Sequence, residues 1–159
     1  MKAVYPGTFD PLTLGHLDII ERVAGIFNEL VILIAHSVSK DAWFTPAERK
    51  SLLEESLKHL KNVTVDIHTG LTVDYLTEKK VSVLVRGLRV ISDYEYEMSM
   101  ANMNHKLAKG VETLIIFSKP EFSFLSSRTV KEVAFHGGPV EGLVPPPVVK
   151  ALKERSQRR

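Results

Sequence analysis

Continuously apolar runs alternate with stretches of helical spacing along this chain. Residues 2–6 and 29–36 read as strands, and the second is almost unbroken, Leu30-Val-Ile-Leu-Ile34. Runs of that kind suit parallel strands covered on both faces. Between them Leu17, Ile20, Ala24 and Phe27 recur at helical spacing while Asp18, Glu21 and Arg22 fall on other faces, with Asn28 as the expected stop. The sharpest helix start is Thr45-Pro46-Ala47-Glu48, a cap, a first-turn proline and a capping-box glutamate in order. Leu53, Leu57 and Leu60 continue it as an apolar stripe. Val63–Ile67 alternates like a half-buried strand, and Leu71–Lys79 reads as a short helix.

Val81–Val85 is a further strand, ending at Arg86-Gly87, where the glycine is expected to allow a sharp turn. Ser92-Asp93-Tyr94-Glu95 is expected as a second capping box, opening a helix to about Leu107. Thr113–Phe117 is the fifth strand, a short helix over Ser127–Phe135 stops at Gly137-Gly138-Pro139, and a last helix follows the prolines at 145–147. The order predicts an α/β fold: a Rossmann-like open parallel five-stranded sheet with helices on both faces, joined by right-handed crossovers. At 159 residues, 1–159 is expected to form a single domain. Ligands in such sheets bind at the carboxyl ends of the strands, near the point where strand order reverses.

Composition narrows the classes. With 21 basic and 19 acidic side chains the net charge is only +2, too little to argue for a nucleic-acid partner. The basic residues of Lys150–Arg159 read as a solvated helix end. There is no cysteine, which excludes disulfides and thiolate metal sites. No apolar run approaches the roughly 20 residues that span a bilayer, and the first residues read as a strand rather than a secretory signal. A cytoplasmic location without membrane association is the expectation.

The strand ends carry the candidate chemistry. After the first comes Tyr5-Pro-Gly-Thr-Phe-Asp-Pro-Leu-Thr-Leu-Gly-His16, a compact turn leading into a helix. Gly7 would let backbone amides approach a phosphate, Thr8 adds a hydroxyl, Gly15 leaves space beside the helix start, and His16 falls in the first helical turn. Taken alone, Gly15-His16 reads first as a tight turn with a surface histidine. Lys40, a few residues past the second strand, is either merely exposed or a phosphate contact. Arg86 and Arg89 flank the fourth strand end, where guanidinium suits bidentate phosphate binding. Phe122-Ser-Phe-Leu-Ser-Ser-Arg128 places hydroxyls at a helix start, a second anion site that is also ordinary capping. No nucleophile arrangement or metal-ligand cluster competes in the sequence. Together these strand ends point to polyphosphate chemistry.

The turn segment resembles the Thr/His-x-Gly-His region of the nucleotidylyltransferase superfamily. Its Tyr-Pro-Gly-Thr-Phe-Asp-Pro opening is similar to the bacterial phosphopantetheine adenylyltransferase family. The match continues at Ser39-Lys40, Phe44-Thr45, Glu48-Arg49, Arg86-Gly-Leu-Arg89, Asp93–Met98, Asn102-Met-Asn104, Ser123–Ser127 and Val130–Val133. By that resemblance Thr8 contacts both ATP and the acceptor phosphate, and Phe9 and His16 lie on the ATP side. Lys40, Arg86 and Thr72 hold 4′-phosphopantetheine. Gly87, Leu88, Arg89 and Glu97, with Phe122, Ser123, Phe124, Leu125, Ser126, Ser127 and Arg128, line the nucleotide site. Many relatives have serine where Arg128 stands, and some have tryptophan at Phe122. His16 and Lys40 are the implied catalytic residues. The implied reaction moves AMP from ATP to 4′-phosphopantetheine, with Mg²⁺ carried on ATP and no metal site on the protein. A homohexamer is implied as well. Met98, Met100 and Met103 are compatible with a subunit contact, although methionines at helical spacing are more often core. A nicotinamide-mononucleotide adenylyl- or glycerol-phosphate cytidylyl-type transferase is the alternative, but it should lack the Arg86–Met98 block.

Overall fold

A computed structural model describes residues 1–35 and 42–157. Strands β1 (Lys2–Gly7), β2 (Glu29–Ala35), β3 (Val63–His68), β4 (Val83–Leu88) and β5 (Glu112–Phe117) alternate with helices α1 (Leu14–Ala24), α2 (Pro46–Ser56), α3 (Thr72–Glu78) and α4 (Ile91–Leu107). Helices α5 (Ser127–Phe135) and α6 (Pro146–Ser156) follow, after a 3₁₀ turn at Pro120–Phe122. The sheet is parallel throughout, in the order β3-β2-β1-β4-β5. The expected five-stranded α/β architecture is therefore observed, and the switch point falls between β1 and β4.

The β period of two divides the sheet between two layers. Ala3, Tyr5, Ile32, Ile34 and Val85 pack with α1, α2, α5 and α6 in the larger core. Val4, Val31, Leu33 and Leu84 pack on the other face with Tyr75 and Leu76 of α3, Val81 and Val111. Helix α4 adds little to either core, because its only buried side chains are Glu97 and Asn104. The sheet face between α3 and α4 is left open for that reason.

Pairing lapses at the switch point. β1 and β2 are in register over six pairs from Lys2–Glu29 to Gly7–Ile34, whereas β1 and β4 register only Val4 with Leu84. Pro6 has no amide hydrogen to continue a ladder, and its carbonyl accepts from the Arg86 guanidinium at 2.9 Å.

Several local expectations are corrected. β4 runs on through Arg86-Gly87 to Leu88, so Gly87 makes no turn. Its role is close approach: a Cβ there would stand 2.6 Å from Ile19 Cδ1 and 3.0 Å from the Tyr5 hydroxyl. The second capping box does not form. Helix α4 begins at Ile91 with Val90 as an extended cap lacking any side-chain bond, and Asp93 instead accepts from Arg89 one turn earlier at 3.2 Å. Helix α1 ends at Ala24 with Gly25 as its cap, because Asn28 and Glu29 are already turned to the Met1 carbonyl at the sheet edge. Helix α6 starts inside the proline run, at Pro146, where a missing amide hydrogen costs nothing. The methionines of α4 are exposed rather than core.

The first capping box forms as expected. Thr45 N–H donates to Glu48 Oε2 at 2.7 Å and Glu48 N–H to Thr45 Oγ1 at 3.2 Å, and Arg155 of α6 pairs with the same glutamate. Thr45→Ala should lower stability by about 1 kcal/mol. Urea unfolding checks this, and an unchanged midpoint would remove the cap from the account of α2.

Candidate active site

A cavity of about 710 Å³ opens where β1 and β4 part, within the usual range for small-molecule sites. Thr8 and Phe9 enter it from the turn after β1, and His16 from the first turn of α1. Gly70, Leu71 and Thr72 border it at the start of α3. Arg86, Gly87 and Arg89 line it from β4 and just beyond. Ser92, Asp93, Tyr96, Glu97, Met100, Ala101 and Asn104 form the α4 wall, and Ser126 and Ser127 stand at the α5 end. A smaller hollow of about 50 Å³ adjoins His16, bordered by Gly15, Gly87, Arg89 and Leu125.

Phe9 is held at a positive φ of 48° and is 2% exposed. Its ring meets Tyr5 edge-on at 5.5 Å and His16 at 5.2 Å between centroids. A Cβ on Gly7 would stand 2.8 Å from that ring, so the glycine is needed first to seat Phe9. Tyr5 is buried, and burial pushes its phenol up to about 12. It is therefore a neutral hydroxyl on the cavity wall.

His16 is the third residue of α1 and completes a capping box with Thr13. The Thr13 amide donates to His16 Nδ1 at 3.1 Å. A backbone amide can only donate, so Nδ1 is the acceptor and the ring proton sits on Nε2. Burial, then the positive charges of Arg89 and Arg86, lower its pKa to about 4. At neutral pH the imidazole is an uncharged N–H donor at a helix N-terminus.

Arg86 is gripped on two sides. Nε and Nη2 donate to the two carboxylate oxygens of Glu97 at 2.7 and 2.6 Å, and Nη1 to Pro6 O at 2.9 Å. Burial works against its charge, but the Glu97 contacts outweigh burial and raise its pKa. A guanidinium carries five N–H groups, so these bonds do not exhaust it. Arg89 donates to Asp93 and, at 3.1 Å, to the Leu125 carbonyl, tying α4 to the stretch before α5.

The expected nucleotide stretch divides. Ser126 caps α5 through Thr129, while Ser127 Oγ donates to the Pro11 carbonyl at 2.7 Å. Leu125 is buried beside the smaller hollow. Phe122 packs against Gly15, Ser123 Oγ bonds Pro120 O, and Phe124 and Arg128 are exposed; these four and the buried Leu88 lie outside the cavity lining. Lys40 falls at 36–41, outside the described residues.

Arg49, Asp10 and Lys131 were not singled out in sequence. Arg49, 2% exposed on α2, donates Nη1 to Thr8 O at 2.9 Å. Asp10 is buried and accepts from the Trp43 and Phe44 amides and from Lys131. Each contact joins positions far apart in the chain, so no local pattern announces it.

The chain matches the cytidylyltransferase-like family model over residues 4–133. It is 54% identical over 156 residues to the phosphopantetheine adenylyltransferase of Bdellovibrio bacteriovorus, covering 98% of both chains. It is 52% identical over 155 residues to the phosphopantetheine adenylyltransferase of Thermotoga neapolitana, covering 98% of this chain and 96% of that one. Among solved structures, a Vibrio parahaemolyticus protein provisionally assigned as a nicotinate-nucleotide adenylyltransferase superposes with a TM-score of 0.70. That match covers 95% of this chain and 97% of the other, and at 17% identity it speaks for the fold alone.

The histidine gives a pH test. Its folded pKa of about 4 lies below the unfolded value of about 6.5. The unfolded chain therefore binds the extra proton between those values. The stability tied to neutral His16 is fully present above about pH 6.5 and is lost as pH falls toward 4, at most about 3 kcal/mol in all. NMR of the ring protons should show His16 titrating near pH 4, and a midpoint near 6.5 would contradict the buried, cation-flanked setting.

Proposed function

The chain belongs to the cytidylyltransferase-like family and, within it, to the phosphopantetheine adenylyltransferases, and from that premise we propose how its cleft divides between two substrates. The enzyme transfers AMP from ATP to 4′-phosphopantetheine, giving dephospho-coenzyme A and pyrophosphate, in coenzyme A biosynthesis. In our reading the donor phosphates lie against His16, Arg89 and the α5 start, and the acceptor phosphate lies by Thr8, Lys40, Thr72 and Arg86. Gly87, Leu88, Glu97 and the 122–128 stretch serve the nucleotide side, and Glu97 also holds Arg86 toward the acceptor. The acceptor arm extends along the cavity between α3 and α4, where Leu84, Met100 and Ala101 offer apolar wall and Asn104 an amide for its peptide-like groups.

One observation carries this reading: a neutral His16 with its proton on Nε2, beside two arginines in a cavity at the switch point. The acceptor phosphate monoester is already anionic, so no general base is needed. One of its oxygens bonds to the α-phosphorus as the bond to the bridging oxygen breaks, and pyrophosphate leaves with that electron pair. His16 Nε2–H donates to the oxygens on which charge builds, and Lys40 and Arg86 hold the attacking phosphate in line. Mg²⁺ bound to the ATP phosphates would neutralise part of their charge. In our reading its ligands would come from ATP and water.

No described helix is long and apolar enough to cross a membrane, and we place the enzyme in the cytoplasm. We propose a homohexamer, in which Met103 and Leu107 of α4 and Phe117 of β5, all exposed here, would meet neighbouring subunits.

Two measurements test the reading. His16→Ala should leave ATP binding nearly intact while turnover drops about 10²–10³-fold; near-normal turnover would take His16 out of the chemistry. Pyrophosphate release should be fastest with 4′-phosphopantetheine and absent with unphosphorylated pantetheine. Nicotinamide mononucleotide and glycerol 3-phosphate should be poor acceptors, since they lack the remote arm that aligns the reacting oxygen. A higher kcat/KM with either of them, or with CTP in place of ATP, would overturn the assignment.

A further inference from the structure

The turn that presents Thr8 and Phe9 has no regular structure of its own, so other elements must fix its shape. Arg49 of α2 holds the Thr8 carbonyl, and Ser127 of α5 holds the Pro11 carbonyl. Between them Asp10, 4% exposed, is saturated. The Trp43 amide lies 3.2 Å from Oδ1 and 3.0 Å from Oδ2, the Phe44 amide donates to Oδ1 at 2.9 Å, and Lys131 Nζ of α5 reaches Oδ2 at 2.9 Å. The Lys131 side chain is only 19% exposed.

A buried ion pair is weak evidence for stability, because desolvation cancels much of its attraction. Its geometry is more informative. Through one carboxylate it joins the turn bearing Thr8, the stretch entering α2, and the helix whose first turn bears Ser127. Those elements carry groups that we assign to opposite substrates. We propose that the Asp10–Lys131 ion pair is a positioning device for the adenylyl transfer, setting the spacing between the Thr8 turn and the α5 start so that the two reacting phosphates meet in line. The inference rests on the division of the cleft proposed above. Neither residue touches the reacting atoms; both act through the elements they join.

A double-mutant cycle tests it. Asp10→Asn keeps an acceptor for the two amides but turns an amide N–H toward Lys131. Lys131→Met keeps the stem and removes the charge. Each should lower kcat roughly 10- to 100-fold, the cost expected of a misplacement near 1 Å, while KM for either substrate changes by less than about threefold. The double variant should be no worse than the worse single one, because both remove the same contact. Lys131→Arg, which can restore the pair, should recover most of the turnover. Unchanged kcat per folded molecule in Lys131→Met, losses that multiply in the double variant, or losses confined to KM would each overturn the proposal. Should Asp10→Asn fail to fold, the Met and Arg variants at 131 decide: loss with recovery supports it, and equal turnover in the two overturns it. The division of the cleft is read separately from Lys40→Ala, which should weaken 4′-phosphopantetheine binding much more than ATP binding, so its failure and that of the ion pair are distinguishable.

Discussion

The cleft depends on how Arg86 bridges β1 and α4. A parallel sheet offers a crevice only where neighbouring strands part, and parting leaves backbone groups in need of partners. Here the Pro6 carbonyl, on the buried central strand, is taken by the Arg86 guanidinium. The charge thus drawn into the crevice is matched by Glu97 in a two-point pair. Glu97 belongs to α4, so the same contact sets how closely that helix approaches the sheet. Open crevice, satisfied backbone and helix placement are consequences of one arrangement.

Electrostatics inside the cleft follow from it. Burial first, and then the two neighbouring arginines, make a second proton there expensive, which is why His16 is held neutral. Neutrality does not disable it, since the Thr13 amide leaves the proton on Nε2, where it can be donated. Its surroundings are poised for anions. Phosphates placed against Arg86 and Arg89 would offset the charge that now depresses the histidine, and a donor that strengthens as anionic charge arrives suits transfer between two polyanions.

Legibility in the sequence tracked the range of the interactions. The Thr45–Glu48 box and the bounds of α5 depend on contacts within a turn, and both appear as expected. Ser92–Glu95 has the same local grammar, yet Arg89 claims Asp93 and the helix starts two residues earlier, with Val90 as its cap. Gly87 looked like a turn residue because it lies between two arginines at a strand end; only the packing of Ile19 and Tyr5 reveals a strand position that excludes a side chain. Arg86 and Glu97 were both legible as candidates, but not as partners. Asp10 and Lys131 stand 121 positions apart, and no periodicity encodes such a pair. The phosphate-facing types at strand ends were readable because the fold rule itself says where to look.

Helix α4 reverses the usual amphipathic order. A surface helix normally turns its apolar stripe inward, but this one buries Glu97 and Asn104 while Tyr94, Met103 and Leu107 are exposed. Positions 97, 101 and 104 share one helical face, and all three border the cavity. The polar inner stripe is what a solvated cleft requires, since an apolar one would collapse onto Leu84 and close it. The cost is a helix with little core of its own, held to the sheet mainly through Arg86–Glu97 and Arg89. Its outer apolar residues then gain burial only from outside the protomer, which is the role the proposed homohexamer gives them. In the proposed hexamer, cleft and assembly would make opposite demands on the two faces of one helix.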